Sequence, residues 1–264
     1  MTDVRTTGAG RLVTDLTGSV AVVTGATDGI GRSVTEALGR SGASVVVASR
    51  REDAVSGTVG DLRDRGIAAF GQPADVRDER QVEELVEFAR SLEGSFDILV
   101  NCAGGSFGSG FKRGPLLDAS VDDLMEAYRL NVVGAFLCAT AAVRGMREEG
   151  GSIVNVSSMG GVRAGSRGMA AYGASKAALN SLTRSMAIEW APRFRVNAVA
   201  PGYIDTPRTT ATRNPERLSE QLRTVALGRM GTPAEVGDLV LYLASPAASW
   251  TTGVVYEIDG GFRT

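Results

Sequence analysis

The 264-residue chain contains no histidine. This absence excludes Ser-His-Asp hydrolysis, Cys-His chemistry and the usual zinc sites that include histidine. The two cysteines, Cys102 and Cys138, fall in a predicted buried strand and a predicted helix, so they form neither a disulfide framework nor a metal-ligand cluster. Of the 28 basic residues all but Lys112 and Lys176 are arginine. Acid–base chemistry must therefore use other side chains, and each lysine is a candidate for a specific role.

The chain also lacks long apolar runs and a strong net charge. No segment approaches the roughly 18 apolar residues of a membrane span, and the N-terminus has no signal-peptide core. A net charge of -2 without a basic run gives no electrostatic footprint for nucleic acid or an anionic membrane. We expect a cytoplasmic protein whose partner is a small molecule.

Seven short β-rich apolar runs alternate with helix-like segments. Between them, apolar residues recur at spacings of three and four, as at Val82, Leu85 and Val86, which predicts amphipathic helices. Nearly continuous apolar strands that each precede a helix are typical of a parallel sheet covered on both faces. We predict one α/β domain over residues 16–264 behind a flexible tail, residues 1–15. The predicted strands are 19–24, 43–49, 67–70, 96–100, 152–157, 195–200 and 254–258.

A glycine-rich turn, Thr24-Gly-Ala-Thr-Asp-Gly-Ile-Gly31, follows the first predicted strand and opens a helix. Gly25 permits a tight turn, Gly29 lets the backbone approach a pyrophosphate, and Gly31 lets helix and strand pack closely. A plain turn is the alternative, because a chain with 34 glycines produces such spacings by accident. The position between strand and helix favours a dinucleotide site.

The segment Tyr172-Gly-Ala-Ser-Lys176 places a phenol and an ammonium four residues apart, on one face of a helix predicted to begin near Met169. A phenol with a pKa of about 10 exchanges protons readily near neutrality only when positive charge lowers that pKa. The ammonium and the positive end of the helix supply such charge. Arginine is no equivalent, since it does not easily release a proton. A solvent-facing lysine beside a packed tyrosine is the alternative.

Together, the G-x-x-x-G-x-G turn and the Tyr-x-x-x-Lys spacing resemble the short-chain dehydrogenase/reductase family, and the resemblance extends from Leu16 to Phe262. It implies a Rossmann-type doubly wound fold, with a seven-stranded parallel sheet in the order 3-2-1-4-5-6-7 and helices on both faces. It further implies hydride transfer between a nicotinamide cofactor and an alcohol or carbonyl compound, with Tyr172 as the general acid/base and Lys176 beside it.

The resemblance assigns two more catalytic roles. Ser158, with Gly161 completing the family pattern, would polarise the substrate carbonyl. Ser157 stays open as the alternative, because Ser158 stands fourteen residues before Tyr172, where many family members have thirteen. Asn131 would hold a water in the proton relay, with a structural kink as the alternative reading.

Cofactor contacts carry over by the same resemblance. The motif Asn101-Cys-Ala-Gly104 departs from the family pattern at Cys102, where a small apolar residue suffices. Asp75-Val76 resembles the adenine contact, with an ordinary loop aspartate as the alternative. The implied cofactor residues are Gly25, Thr27, Asp28, Gly29, Ile30, Gly31, Ser49, Arg50, Asp75, Val76, Asn101, Ala103, Gly104, Tyr172, Lys176, Pro201, Gly202, Ile204 and Thr206.

The second predicted strand ends Ala48-Ser49-Arg50-Arg51, with no acid before Glu52. NAD users of the family tend to carry an acid here, which would repel a 2′-phosphate. We therefore predict NADP(H) over NAD(H), and carbonyl reduction as the direction. An NAD-dependent alcohol, sugar or steroid dehydrogenase is the main alternative, and a non-catalytic nucleotide-binding protein is the less favoured one.

Two long loops, residues 104–115 and a substrate loop at about 203–230, follow strand ends, where open α/β sheets bind ligands. Their pocket or lid candidates are Phe107, Phe111, Lys112, Arg208, Arg213, Arg217 and Arg223, although ordinary solvated surface charge is the favoured interpretation of the scattered arginines. Helices around 121–147 and 170–190 and residues 254–262 resemble those that pair in family tetramers. A homotetramer is predicted, with a dimer second.

Overall fold

The computed structural model describes residues 5–7, 11–106, 114–163, 168–211 and 215–262. Its main sheet confirms the predicted order, β3-β2-β1-β4-β5-β6-β7, and every neighbouring pair is parallel. The strands are β1 Val20–Thr24, β2 Ser44–Ser49, β3 Ala69–Pro73, β4 Ile98–Asn101, β5 Gly151–Val156, β6 Phe194–Pro201 and β7 Val255–Ile258.

Alternate residues of each strand point to opposite sides of the sheet, which gives it two apolar faces. Helices cover both of them. Val23 and Val45 pack in a core with helices α1, α2 and α9, whereas Val22 and Val46 pack in a second core with α3, α5 and α6. The helices are α1 Gly29–Arg40, α2 Glu52–Asp64, α3 Glu79–Glu93, α4 Val121–Tyr128, α5 Gly134–Gly145, α6 Ala170–Trp190, α7 Pro207–Ala211, α8 Pro215–Leu222 and α9 Pro233–Ala244.

The third strand lies later in the chain than the predicted residues 67–70. Ile67 instead closes the end of α2, where its amide donates to the Leu62 carbonyl at 3.1 Å. The strand itself contains Gly71 and Pro73, which an apolar pattern does not include. Because β3 is an edge strand, Pro73 does not interrupt a central ladder.

The N-terminal segment, residues 1–15, is predicted to be a flexible tail. There the structure pairs two short strands, Arg5–Thr7 and Arg11–Val13, in an antiparallel ribbon. The flexibility and the single-domain organisation stay predictions. Among the helices that the structure describes, none combines the length and the apolar character that a membrane span requires.

Candidate active site

A cavity of about 390 Å³ lies at the carboxyl edge of the sheet. The ends of β1, β2, β4, β5 and β6 meet there, as expected for an open parallel sheet. The predicted site residues that line it are Gly25, Thr27, Asp28, Gly29, Ile30, Gly31, Ser49, Arg50, Asp75, Val76, Ala103, Gly104, Ser158, Tyr172, Lys176, Pro201, Gly202, Ile204 and Thr206. Asn101 and Asn131 lie behind its wall.

The glycine-rich turn packs too closely for side chains. Gly25 has a φ of +65°, and a Cβ there would lie 2.8 Å from the Ala103 nitrogen. A Cβ at Gly31 would lie 2.1 Å from the Gly25 carbonyl oxygen. Across the turn, the Thr24 hydroxyl accepts hydrogen bonds from the amides of Cys102 and Ala103 at 3.2 and 3.1 Å. The turn and the end of β4 are thus held together as one wall of the cavity.

The N-terminus of α1 faces the cavity. Asp28 caps the helix by accepting from the Gly29 amide at 2.7 Å. In the described hydrogen-bond network, the next two amides, those of Ile30 and Gly31, have no acceptor. Amides at a helix start bind phosphate oxygens readily. This end of the cavity therefore fits the diphosphate of a dinucleotide.

Tyr172 and Lys176 lie one turn apart near the start of α6. The Lys176 ammonium lies 5.9 Å from the centre of the Tyr172 ring and donates to the Val156 carbonyl at 2.8 Å. Lys176 is buried, and this burial lowers its pKa to about 8. The pair therefore combines a phenol with an amine that titrates close to neutrality.

Asn131 lies in a π-helical segment, Arg129–Val133, between α4 and α5. Its side-chain oxygen accepts from the Gly105 amide at 3.0 Å. Its side-chain nitrogen donates to the carbonyls of Gly105 and Ala127 at 3.1 Å and to the Ser175 hydroxyl at 3.2 Å. A buried amide that is bonded this fully fixes the loop after β4 against α6. A widened helical turn and a hydrogen-bonding role therefore coexist at Asn131.

The two candidate serines have different surroundings. Ser157 is buried and donates to the Lys176 carbonyl at 3.3 Å. Ser158 is half-buried and caps the short 3-10 helix Met159–Gly161 by accepting from the Gly160 amide at 3.2 Å. Because the Ser158 oxygen only accepts in that bond, its hydroxyl proton can be offered to a ligand in the cavity.

Asn101 belongs to a buried chain of polar groups behind the cavity. Its side chain donates to the Asn155 side-chain oxygen at 2.9 Å, and Asn155 donates to the Thr183 hydroxyl at 2.9 Å. These bonds join β4, β5 and α6. The structure thus places Asn101 where it holds the strands in register.

At the far end of the cavity, Asp75 pairs with Arg77, whose Nη2 lies 2.6 Å from the carboxylate. Hydrogen bonds from Arg77 lower the pKa of Asp75. Val76 is buried and packs against Gly134, where a Cβ would approach it to 2.6 Å. Arg77 and Glu126 also line the cavity, but no motif in the sequence singles them out.

Ser49 and Arg50 stand at the end of β2. The Thr27 hydroxyl lies 3.4 Å from the Ser49 hydroxyl. Arg50 is exposed and lines the cavity, whereas the neighbouring Arg51 pairs with Asp53 at 3.8 Å and points elsewhere. A guanidinium and two hydroxyls at one rim suit a phosphate monoester.

The segment after β6 lies over the glycine-rich turn. Thr206 approaches Gly29, where a Cβ would lie 3.2 Å from its methyl group. The Thr209 hydroxyl braces the segment by donating to the Ile204 carbonyl at 3.0 Å. Arg208 lines the cavity as well, in agreement with its selection as a pocket candidate. Phe107, Phe111, Lys112 and Arg213, and the side chain of Arg217, fall outside the described residues.

A family model described as Enoyl-(Acyl carrier protein) reductase matches residues 25–263. The chain belongs to the short-chain dehydrogenase/reductase family. The galactitol 2-dehydrogenase of Rhizobium johnstonii is 41% identical over 252 residues, which cover 94% of this chain and 96% of that protein. The chain is thus an oxidoreductase of the class that interconverts alcohols and carbonyl compounds.

Solved structures agree with this membership. A 7α-hydroxysteroid dehydrogenase in complex with NADH and 7-oxo glycochenodeoxycholic acid superposes with a TM-score of 0.88 and 34% identity, covering 94% of this chain and 95% of that chain. A variant actinorhodin polyketide ketoreductase with NADPH gives a TM-score of 0.85 and 31% identity, covering 92% and 96%. These two relatives contain different nicotinamide cofactors.

Proposed function

We propose that this enzyme reduces a ketone or aldehyde with NADPH, and that Tyr172 donates the proton. The observation that carries the proposal is that Ser158, Tyr172 and Lys176 line the same cavity as the start of α1. The Ile30 and Gly31 amides, which have no acceptor among the described residues, would hold the diphosphate, and the nicotinamide supplies the hydride when it is bound.

Two hydroxyls bind the substrate in this proposal. Ser158 donates to the carbonyl oxygen and polarises it, while Tyr172 donates a second hydrogen bond to the same oxygen. As negative charge develops there, the Tyr172 proton moves to it, which completes the alcohol.

Lys176 restores the proton to Tyr172. Its ammonium is fixed by the Val156 carbonyl, and its lowered pKa makes proton release near neutrality inexpensive. Asn131 would act at the next step, by holding a water whose proton reaches the lysine; its bonds to Gly105 and Ser175 keep it in place.

The rim at Ser49 and Arg50 supports NADPH over NADH. A 2′-phosphate would meet the Arg50 guanidinium and the Ser49 hydroxyl, and no carboxylate follows before Glu52. The cytoplasm, where cells keep the NADP pool reduced, is the compartment that we propose. The same site used with NADH is the second candidate, because a relative that superposes with a TM-score of 0.88 was solved with NADH.

We also propose a homotetramer. Apolar side chains are exposed along the helical segment 116–136, where Leu117 is 99% exposed, Val121 75% and Phe136 43%. Several large apolar side chains exposed along one segment favour burial against another copy. Light scattering after gel filtration measures the assembly directly.

The Tyr172→Phe variant tests the proposed chemistry. We expect kcat for NADPH-dependent reduction to fall by about 10²- to 10⁴-fold, because only the proton donor is removed. NADPH affinity and the unfolding midpoint should stay close to those of the unaltered enzyme. Tyr242→Phe, on α9, is the matched control. A panel of ketoacyl thioesters, quinones and keto-steroids supplies the substrate, and a Tyr172→Phe enzyme with most of its turnover contradicts the proposal.

A further inference from the structure

Arg163 lies just after the short 3-10 helix that Ser158 caps. The Arg163 amide donates to the Met159 carbonyl at 2.9 Å, and the Gly161 amide donates to the Ser158 carbonyl at 2.9 Å. The backbone of Arg163 is therefore tied to the loop that presents the Ser158 hydroxyl.

The guanidinium of Arg163 joins this loop to the C-terminal segment, residues 257–262. Its Nη2 lies 2.7 Å from the Glu257 carboxylate and 4.0 Å from that of Asp259, and its Nη1 donates to the Phe262 carbonyl. The Asp259 side chain is only 8% exposed. Charge-assisted hydrogen bonds at partly buried positions hold their geometry better than fully exposed ion pairs do.

The C-terminal segment in turn supports both ends of the predicted substrate loop, residues 203–230, in which the structure forms helices α7 and α8. The Phe262 ring meets the Tyr203 ring edge to face, with centroids 5.7 Å apart. At the other end of the loop, the amides of Ala226 and Leu227 donate to carbonyls of residues 260–261 at 3.2 and 3.0 Å. A displacement of Phe262 would therefore be transmitted to the loop at two points.

The chain positions of these contacts connect them to the cavity. Gly202 and Ile204 line the cavity on either side of Tyr203, and Ser158 lines it from the end of the neighbouring parallel strand, β5. The contacts of Arg163 thus run from the loop that presents the Ser158 hydroxyl to the segment after β6 that lines the cavity.

We propose that Arg163 is a positioning residue for the substrate. Through Phe262 and Tyr203 it sets the distance between the substrate loop and Ser158, and so the room available to the groups around the reacting carbonyl. The inference rests on the proposed reductase function. A misplacement of about 1 Å near a reacting group can cost up to about 10²-fold in rate, so a residue that only braces the site can lower kcat/KM measurably.

Three variants test this connection: Arg163→Gln, Phe262→Ala and the two combined. Arg163→Lys keeps the charge without the forked geometry, and Arg80→Gln removes an exposed ion pair on α3 as a control. The measurements are kcat and KM for the carbonyl compound of the panel that the unaltered enzyme reduces best, the Kd of NADPH by calorimetry, and amide hydrogen exchange of residues 203–210 and 222–230.

We expect KM to rise roughly tenfold in each single variant and no further in the combined one, since coupled residues are not additive. We expect kcat and the NADPH Kd to change by less than about threefold, exchange of the loop to accelerate, and Arg163→Lys to recover part of the loss. Additive effects, an unchanged KM with unchanged exchange, or a parallel loss of NADPH affinity would overturn the inference. Should the unaltered protein reduce no carbonyl of the panel, the proposed function fails, and the exchange data alone decide whether Arg163 holds the loop.

Discussion

The ammonium of Lys176 lies one helical turn from Tyr172, 5.9 Å from the centre of its ring, and it is held there by the Val156 carbonyl rather than by an acid. Among the described residues no carboxylate is bonded to this lysine, so the free-energy cost of burying its charge is not offset. That cost appears as a pKa lowered to about 8. Tyr172 thus has a neighbour that binds and releases a proton within the ordinary working range of an enzyme.

The stability of the cofactor-free enzyme should consequently depend on pH through Lys176. Because the pKa of this lysine is lower in the folded chain than its ordinary value of 10.5, the unfolded chain binds more protons between about pH 8 and 10.5. The free energy of unfolding should rise over this range by up to about 3 kcal/mol from this group.

Urea titrations at pH 7, 8, 9 and 10 measure this contribution when the unaltered enzyme is compared with Lys176→Met. The difference between the two proteins cancels the titration of shared groups. It should shift in favour of the unaltered enzyme as pH rises above 8. A difference that is constant from pH 7 to 10 would show that Lys176 has no lowered pKa.

The two serines give a second prediction, which separates a catalytic from a structural hydroxyl. Ser158→Ala should lower kcat by about 10²-fold with little change in stability, because the hydroxyl that polarises the carbonyl is lost. Ser157→Ala should instead cost about 1 kcal/mol of stability, since a buried bond to the Lys176 carbonyl is removed, and should keep turnover within a few-fold. Steady-state kinetics and urea unfolding of both variants measure these two effects. The reverse pattern would assign the polarisation of the carbonyl to Ser157.

Much of this site was predictable because it rests on local rules. The turn from Gly25 to Gly31 and the pair Tyr172 and Lys176 are spacings along a single element, and the sheet order follows from their family. The position of Arg77 in the cavity was not predictable. It depends on ion pairs with Asp75 and with Glu126 of α4, and a linear pattern does not bring Glu126 next to Arg77.

The hydrogen bonds of the buried asparagines behind the cavity were not predicted, for the same reason. The bonds of Asn131 to Ser175 and of Asn101 to Asn155 join residues 44 and 54 positions apart. No local pattern in the sequence indicates that the Ser175 hydroxyl accepts a hydrogen bond from Asn131. The late start of β3 was likewise decided by packing, since Ile67 fills the space beside Gly39 rather than pairing in the sheet.

Arg50 gives a third prediction, on the choice of cofactor. Arg50→Gln should weaken NADPH binding by roughly 10- to 100-fold and leave NADH binding nearly unchanged, because the lost guanidinium would contact only the 2′-phosphate. Arg51→Gln is the matched control, as that neighbouring arginine pairs with Asp53. Calorimetry with NADPH, NADH and 2′,5′-ADP measures the three affinities. Equal losses for NADPH and NADH would contradict a phosphate contact at Arg50.

The fourth prediction concerns packing at the cofactor turn. Gly31→Ala would bring a Cβ to 2.1 Å from the Gly25 carbonyl, a backbone atom that cannot rotate away. The turn must then open, and we expect a loss of about 2 kcal/mol or more in stability together with weakened NADPH binding.

Gly57→Ala is the matched control for that substitution, because Gly57 lies inside α2 with open space where its Cβ would be. Alanine there should raise stability by about 0.5–1 kcal/mol, since glycine is the poorer helix former and gives the unfolded chain more freedom. Urea unfolding of both variants and calorimetry with NADPH test the pair. A Gly31→Ala protein that is as stable as Gly57→Ala and binds NADPH normally would contradict this prediction. The close contact between α1 and the end of β1 would then not require glycine at position 31.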